Sequence, residues 1–245
     1  MKILKNSLII LLFTIFGCNS DQSNFDVITE EEDISINQTK SVSAYSLEDI
    51  VNGIRKWDSL RSSTDGLLQH FENYNALRID MTLFPQGNAL HAYACILNGE
   101  LKFAVISEVY DQEIYQDSLI KHIKVIDLNY TDIAALTEQT YESYTFPPPT
   151  QYIQAADAIN RIYDWNTNEN WLSSTISDYK GFEIPTYSLI AQHYSVYFGL
   201  KNDIDNPNIK DADLVIDNNN GLFYDTVAGF PRPGRQGNYY LLELI

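Results

Sequence analysis

Cysteine is nearly missing from this 245-residue chain: Cys18 and Cys95 are its only two. That leaves no disulfide framework to expect, and no zinc cluster of the cysteine–histidine type. Basic residues are scarce as well, 16 against 33 acidic ones, for a formal net charge of −17. Such a surface repels phosphate backbones, so a nucleic-acid partner is not expected. It suits a cationic partner, divalent ions or plain solubility. The short enzyme signatures are missing too: there is no G-x-S-x-G elbow, no H-E-x-x-H pair and no phosphate-cradling glycine loop. The four histidines, His70, His91, His122 and His193, are scattered, with His91 and His193 both near strand-like stretches.

Long apolar runs are also lacking, with one short exception. Leu8 to Phe16 is apolar but shorter than the about 20 residues needed to span a bilayer. Lys2 and Lys5 precede it, and Gly17-Cys18 ends it, which is the order of a secretory leader. Ile15-Phe16-Gly17-Cys18 resembles the lipobox of bacterial lipoproteins, with Phe16 where that pattern takes a smaller side chain. The resemblance covers the first 18 residues. It implies that residues 1–17 are a signal peptide, that Cys18 carries diacylglycerol after cleavage, and that its new amine is acylated. Two or three chains, at about 0.8 kcal/mol per buried methylene, hold a protein to a membrane stably. The alternative is an ordinary cleaved leader with an unmodified cysteine. Asn19-Ser20-Asp21-Gln22 is similar to the surface-export signal of Bacteroidota lipoproteins. The expected location is therefore the cell envelope, on the outer membrane, facing the periplasm or the exterior. Without Lys2 and Lys5 the mature chain has 14 basic and 33 acidic residues, a balance of −19.

Residues 18–44 are polar and acidic, centred on Glu30-Glu31-Glu32-Asp33. They read as a flexible tether reaching roughly 25–30 Å, with room for a brief strand at Ile34 to Ile36. Residues 45–245 read as one α+β domain, with an internal boundary near Pro147-Pro148-Pro149. Ser46 and Asp49 form a near capping box before a helix whose apolar face is Ile50, Val51, Ile54, Trp57 and Leu60. The helix should end over Ser62 to Gly66. An antiparallel meander follows, made of ALRIDMTLF, ALHAYACIL, ELKFAVIS and IKVIDL, with Asn98-Gly99 as a hairpin turn. A short helix is expected over 131–140 and a longer one over 151–165, with Ile153, Ala156, Ile159, Ile162 and Tyr163 inward. Asn168 to Ile176 reads as another helix, and Pro185 should open one over 186–192. Strands are expected near 195–200, 212–217, 222–227 and 239–244, with a turn at Asn218 to Gly221. Helices should pack on one face of the sheet. VNGIRKW (Val51 to Trp57) aligns with INRIYDW (Ile159 to Trp165) at an offset of 108, with Asn, Ile and Trp in register. Two similar halves, or chance likeness between amphipathic helices, both account for this.

Candidate sites are few. Asp203, Asp205, Asn208, Asp211, Asp213 and Asp217 offer oxygen ligands to a cation. The EF-hand pattern fails there, since Asn208 and Leu214 stand where glycine and glutamate belong, and a solvated acidic loop explains the stretch equally well. Arg232 and Arg235, in GFPRPGRQGNYY, suit carboxylate or phosphate recognition, or pairing with the protein's own acids. Trp171 and Tyr239 are candidate platforms for a sugar or peptide. Cys95 lies in an alternating apolar stretch and reads as a small buried hydrophobe. No cofactor is implied. The reading that these features favour is a lipid-anchored, non-catalytic module that binds a protein or glycan partner. A glycan hydrolase using Asp/Glu acid–base chemistry and an acidic inhibitor or immunity protein are the alternatives.

Overall fold

Ser46 starts the first helix as its sequence predicts. Its hydroxyl accepts from the Asp49 amide at 3.1 Å, and the Asp49 carboxylate accepts from the Ser46 amide at 2.9 Å. This capping box satisfies helix-end donors that would otherwise lack partners. The resulting helix, α1 (Leu47–Leu60), buries Ile50, Val51, Ile54 and Trp57, while Leu60 stays partly exposed. Ser63 then precedes a second helix that the pattern did not announce, α2 (Thr64–Phe71).

In this computed structural model the described residues are 44–84, 87–138, 152–168, 170, 175, 179–186, 189, 191–202, 206, 208–217, 222–225, 228–230 and 239–245. They belong to one compact unit. After α2 come β1 (Ala76–Asp80), a 3-10 turn (Met81–Leu83), β2 (Ala89–Leu97) and β3 (Glu100–Ser107). Asn98 and Gly99 join β2 to β3 with φ of 54° and 82°, the two positive angles that a tight hairpin requires. A 3-10 segment (Glu113–Ser118) leads into α3 (Leu119–His122), β4 (Lys124–Asn129) and α4 (Ile133–Glu138). The second part holds β5 (Tyr152–Ile153), α5 (Ala155–Thr167), β6 (Gly181–Pro185), β7 (His193–Asn202), β8 (Lys210–Asp217), β9 (Phe223–Tyr224), β10 (Ala228–Phe230) and a closing helical turn, α6 (Tyr240–Glu243).

The strands form one antiparallel sheet in the order β10-β6-β2-β3-β4-β1-β7-β8-β9-β5. The join at its middle is narrow, because β1 and β4 pair only through Ala76–Asn129 and Leu77–Leu128. Alternation sorts the strands' side chains onto two faces. Leu90, Phe103, Ile126, Leu77, Phe198 and Leu214, from six different strands, all belong to one central apolar cluster. The sheet therefore curls round a shared core, so the fold is α+β and dominated by its sheet. The outer face carries two separate clusters. One lies under α1, α3 and α6, and the other under α4 and α5.

Several expectations change. Pro185 does not open a helix but ends β6, beyond the residues that pair with β10. Among the described residues the strand has a single neighbour, β2, at that point, where a proline is tolerated. Residues 239–244 are not a strand; Tyr240–Glu243 is helical. The helix expected over 151–165 starts later, and its Ala156 and Tyr163 face outward, Tyr163 being 54% exposed. Not every helix packs on one face: Leu67 and Phe71 of α2 enter the central core. The expectations at Ile34 to Ile36, Pro147 to Pro149 and Asn218 to Gly221, and most of 168–176, lie outside the described residues.

Candidate functional site

The described charges gather most densely where α5 crosses β7 and β8. Helical spacing places Ala158, Arg161, Ile162 and Trp165 on the sheet side of α5. Ala158 and Ile162 join Tyr197 and Val215 in the outer-face cluster. Arg161 meets β7 at Gly199, where an added Cβ would lie 3.3 Å from the Arg161 Cβ and 3.1 Å from Val215. The missing side chain at Gly199 makes room for the arginine. Asp213, the cross-strand partner of Gly199, then lies beneath the guanidinium.

Four charged groups close into a ring at this point. Arg161 Nη1 donates to Asp213 Oδ2 at 2.9 Å and to Asp225 Oδ2 at 2.5 Å. Lys201 Nζ donates to Asp213 Oδ1 at 3.0 Å and to Asp225 Oδ1 at 3.2 Å. Each cation bridges both carboxylates. The Asp213 side chain is fully buried, while Arg161, Lys201 and Asp225 each keep about a fifth of their side-chain surface open. Burial pushes the Asp213 carboxyl up to about 6, against the pull of Lys201 and Arg161. Burial also works on Asp225, but there Lys201 and Arg161 outweigh it and hold the carboxyl below its ordinary value. The same pairs outweigh burial at Arg161 and Lys201 and raise both. Two neighbouring carboxyls are thus driven apart in acidity.

Above the ring lies a cleft of about 520 Å³. Arg161, Lys201, Lys210, Asp225, Asn160 and Asn202 contribute to its wall, with Asp157 and Asp164 at the helix side. Lys210 reaches Asp164 at 2.9 Å across the rim. Three of the protein's 16 basic side chains thus line one cleft.

A second polar network lies under α6. Asp111 is fully buried; its Oδ2 meets His91 Nδ1 at 2.6 Å and accepts from the Tyr93 hydroxyl, and its Oδ1 accepts from the Leu241 amide at 3.1 Å. Burial, and then Asp111, push the Tyr93 phenol well above its usual range. The Tyr239 ring packs on His91 at 4.7 Å and its hydroxyl donates to Glu183 at 2.8 Å. His91 and Tyr93 tie β2 to Asp111 in the loop after β3, and Leu241 and Tyr239 fasten the C-terminal turn to Asp111, β2 and β6, so the network's visible work is structural. A larger open groove of about 850 Å³ runs along α1 past Asn52, Arg55, Lys56 and Asn98.

The sequence candidates divide. Tyr239 is buried and bonded to Glu183, not an open platform. Asp213 is a ligand for cations of the protein itself, and Asp211 lies on β8 with Lys201 as its cross-strand partner. No group of three or more metal-competent side chains occurs among the described residues. Cys18, Trp171, Asp203, Asp205, Arg232 and Arg235 lie outside the described residues. Cys95 is wholly buried, with burial pushing its thiol up to about 12, so it is an inert hydrophobe. His91 and His193 do not share a strand pair; β3, β4 and β1 lie between theirs. Arg161, Lys201 and Asp225 were not singled out in the sequence. A usable signal was there for Arg161, which interrupts the apolar stripe of α5 between Ala158 and Ile162.

No described helix is long and apolar enough to cross a membrane. No protein-family model matches the chain, and no curated protein and no solved structure matches it either.

Proposed function

We propose that this protein is a lipid-anchored component of the cell envelope, held by Cys18, whose α+β domain binds a protein or glycan partner without transforming it. The anchor rests on the lipobox-like end of the leader. The seat of binding is the cleft over α5, β7 and β8. The observation that carries this is the ion ring: Arg161 and Lys201 are fixed by two carboxylates each, so the groups facing the cleft are held in place before any ligand arrives. Preorganised polar groups lose little entropy on binding. The ring also argues against chemistry, because both cations stand between Asp213 and Asp225, where a scissile bond or attacking water would have to be.

The experiment is a glycan and envelope-fraction binding screen with the soluble domain, read by hydrogen exchange. A ligand is expected to slow exchange in α5 and β8 and to be recovered intact. Cleavage of the bound ligand contradicts the reading, as does a bound ligand that leaves those amides unchanged.

One observation favours a hydrolase as the second reading. Asp213 lies near 6 beside an Asp225 held low, and such divergence often separates a general acid from its partner. That reading expects turnover of an envelope glycan that Asp225→Asn abolishes; intact substrate in the same assay removes it.

A further inference from the structure

The donors in the α5 cleft are not all spent on the ring. Both bonds of Arg161 run through Nη1, so among the described residues Nη2 and Nε have no partner. Lys201 uses two of its three N–H groups on Asp213 and Asp225, and Lys210 uses one on Asp164. Among the described residues, three cations therefore hold surplus N–H groups around one cavity. Two of the three carboxylates in its lining are already engaged: both oxygens of Asp225 accept from the ring, and Asp164 accepts from Lys210, while Asp157 stands on the helix side of the wall. What is on offer locally is hydrogen-bond donation to an anion, although the protein as a whole is acidic. The wider surface charge is screened beyond about 8 Å at physiological salt, whereas donors inside the cleft act at contact. Asn160 and Asn202 add neutral amides beside the cations, able to both donate and accept. Cations next to paired amides match a carboxylate surrounded by hydroxyls.

We propose that this cleft takes an acidic saccharide, with the carboxylate of a uronic-acid residue on Arg161 and Lys210 and its ring hydroxyls on Asn160 and Asn202. The inference rests on the cleft being the ligand seat and goes further by naming the ligand's chemistry. The rim pair Lys210–Asp164 need not open, because Lys210 keeps N–H groups beyond the one that it gives Asp164. Its side chains are 34% and 39% exposed, so the pair lies where a ligand can reach it. The ring below stays closed.

Calorimetric titration with tetragalacturonate and with its fully methyl-esterified counterpart tests this. The two probes share length, hydroxyls and shape, and differ in charge. Saturable binding of the acid that the ester lacks is expected. Lys210→Met should weaken the acid about tenfold or more, since a hydrogen bond to a charged group is being removed, and leave the thermal midpoint unchanged. Asn160→Leu should weaken it by a smaller factor. Equal binding of acid and ester overturns the inference and leaves the binding cleft standing. So does binding that Lys210→Met does not alter. If neither probe binds while another ligand slows exchange in α5 and β8, the acidic-sugar assignment fails alone. If no ligand touches that cleft, the broader reading fails with it.

Discussion

α1 on β2 and α5 on β7 are both contacts of a helix with a strand, and they differ in where the small residue sits. In the first, the glycine is on the helix. A Cβ at Gly53 would lie 2.9 Å from Leu97 and 3.1 Å from the Ile96 carbonyl oxygen, so α1 rests directly on the strand. In the second, the glycine is on the strand, at Gly199, and the helix presents Arg161 instead. Gly53 and Arg161 occupy the same place in the two aligned segments, VNGIRKW and INRIYDW. Moving the gap from helix to strand turns an apolar seam into one with space for a guanidinium. The buried ions differ accordingly. Under the first half a cation, Lys102, is buried beside Asp127 at 2.5 Å and Glu100 at 2.7 Å. Under the second the central ion is the anion Asp213, with two cations around it. Glu100 is 62% exposed on its side chain and needs no partner, whereas Asp213 has no water to turn to. One unit is built for packing, the other for holding charge.

The two halves agree at their tryptophans. Trp57 and Trp165 both turn into the central core, where Phe71 meets each edge-on, at 6.2 and 5.4 Å. Truncation to alanine should be the most damaging change in either half, about 3–5 kcal/mol each by chemical denaturation. A cost below 1 kcal/mol at one site would break the correspondence. Next come the central ions. Asp213→Leu strands Arg161 and Lys201 around one remaining carboxylate and should cost about 3 kcal/mol. Lys102→Met leaves two acids that solvent reaches, and should cost about 1 kcal/mol or less. Equal costs would erase the contrast. Gly53→Val should cost about 1–3 kcal/mol, because the new side chain meets backbone that cannot yield. The smallest effect concerns the helix starts. Ser46→Ala should lose about 1 kcal/mol, whereas Gln154→Ala should be neutral, since Gln154 makes no side-chain cap bond.

Much of the first half could be read from local pattern. Ser46 and Asp49, the span Ala89–Leu97 and the turn at Asn98-Gly99 depend on neighbours in sequence, and the structure follows them. The errors come where distant contacts decide. Tyr239 to Leu244 is a run of apolar residues broken by one acid, which strand and helix suit about equally. The turn forms as a helix where its Leu241 amide meets Asp111, 130 residues earlier. The ion ring was illegible for the same reason. Arg161 and Asp225 are 64 residues apart, the four groups lie on α5, β7, β8 and just past β9, and only the register of β7 on β8 brings Gly199 opposite Asp213.

The central claim is that the second half holds a buried carboxylate between fixed cations. Its folded acidity, near 6, lies above the value of about 3.9 expected in an unfolded chain. The folded state therefore takes up this proton first, and stability should rise as pH falls through about 6, levelling off near 4. Asp225 acts with the opposite sign, and its contribution fades only at lower pH. The direct measurement is a carbon-13 NMR titration of the aspartate carboxyls, with Asp213→Asn used for assignment. One resonance should titrate near 6 and vanish in the variant, together with the gain in stability between pH 7 and 5. An Asp213 carboxyl titrating near 4, like an exposed aspartate, would contradict the account.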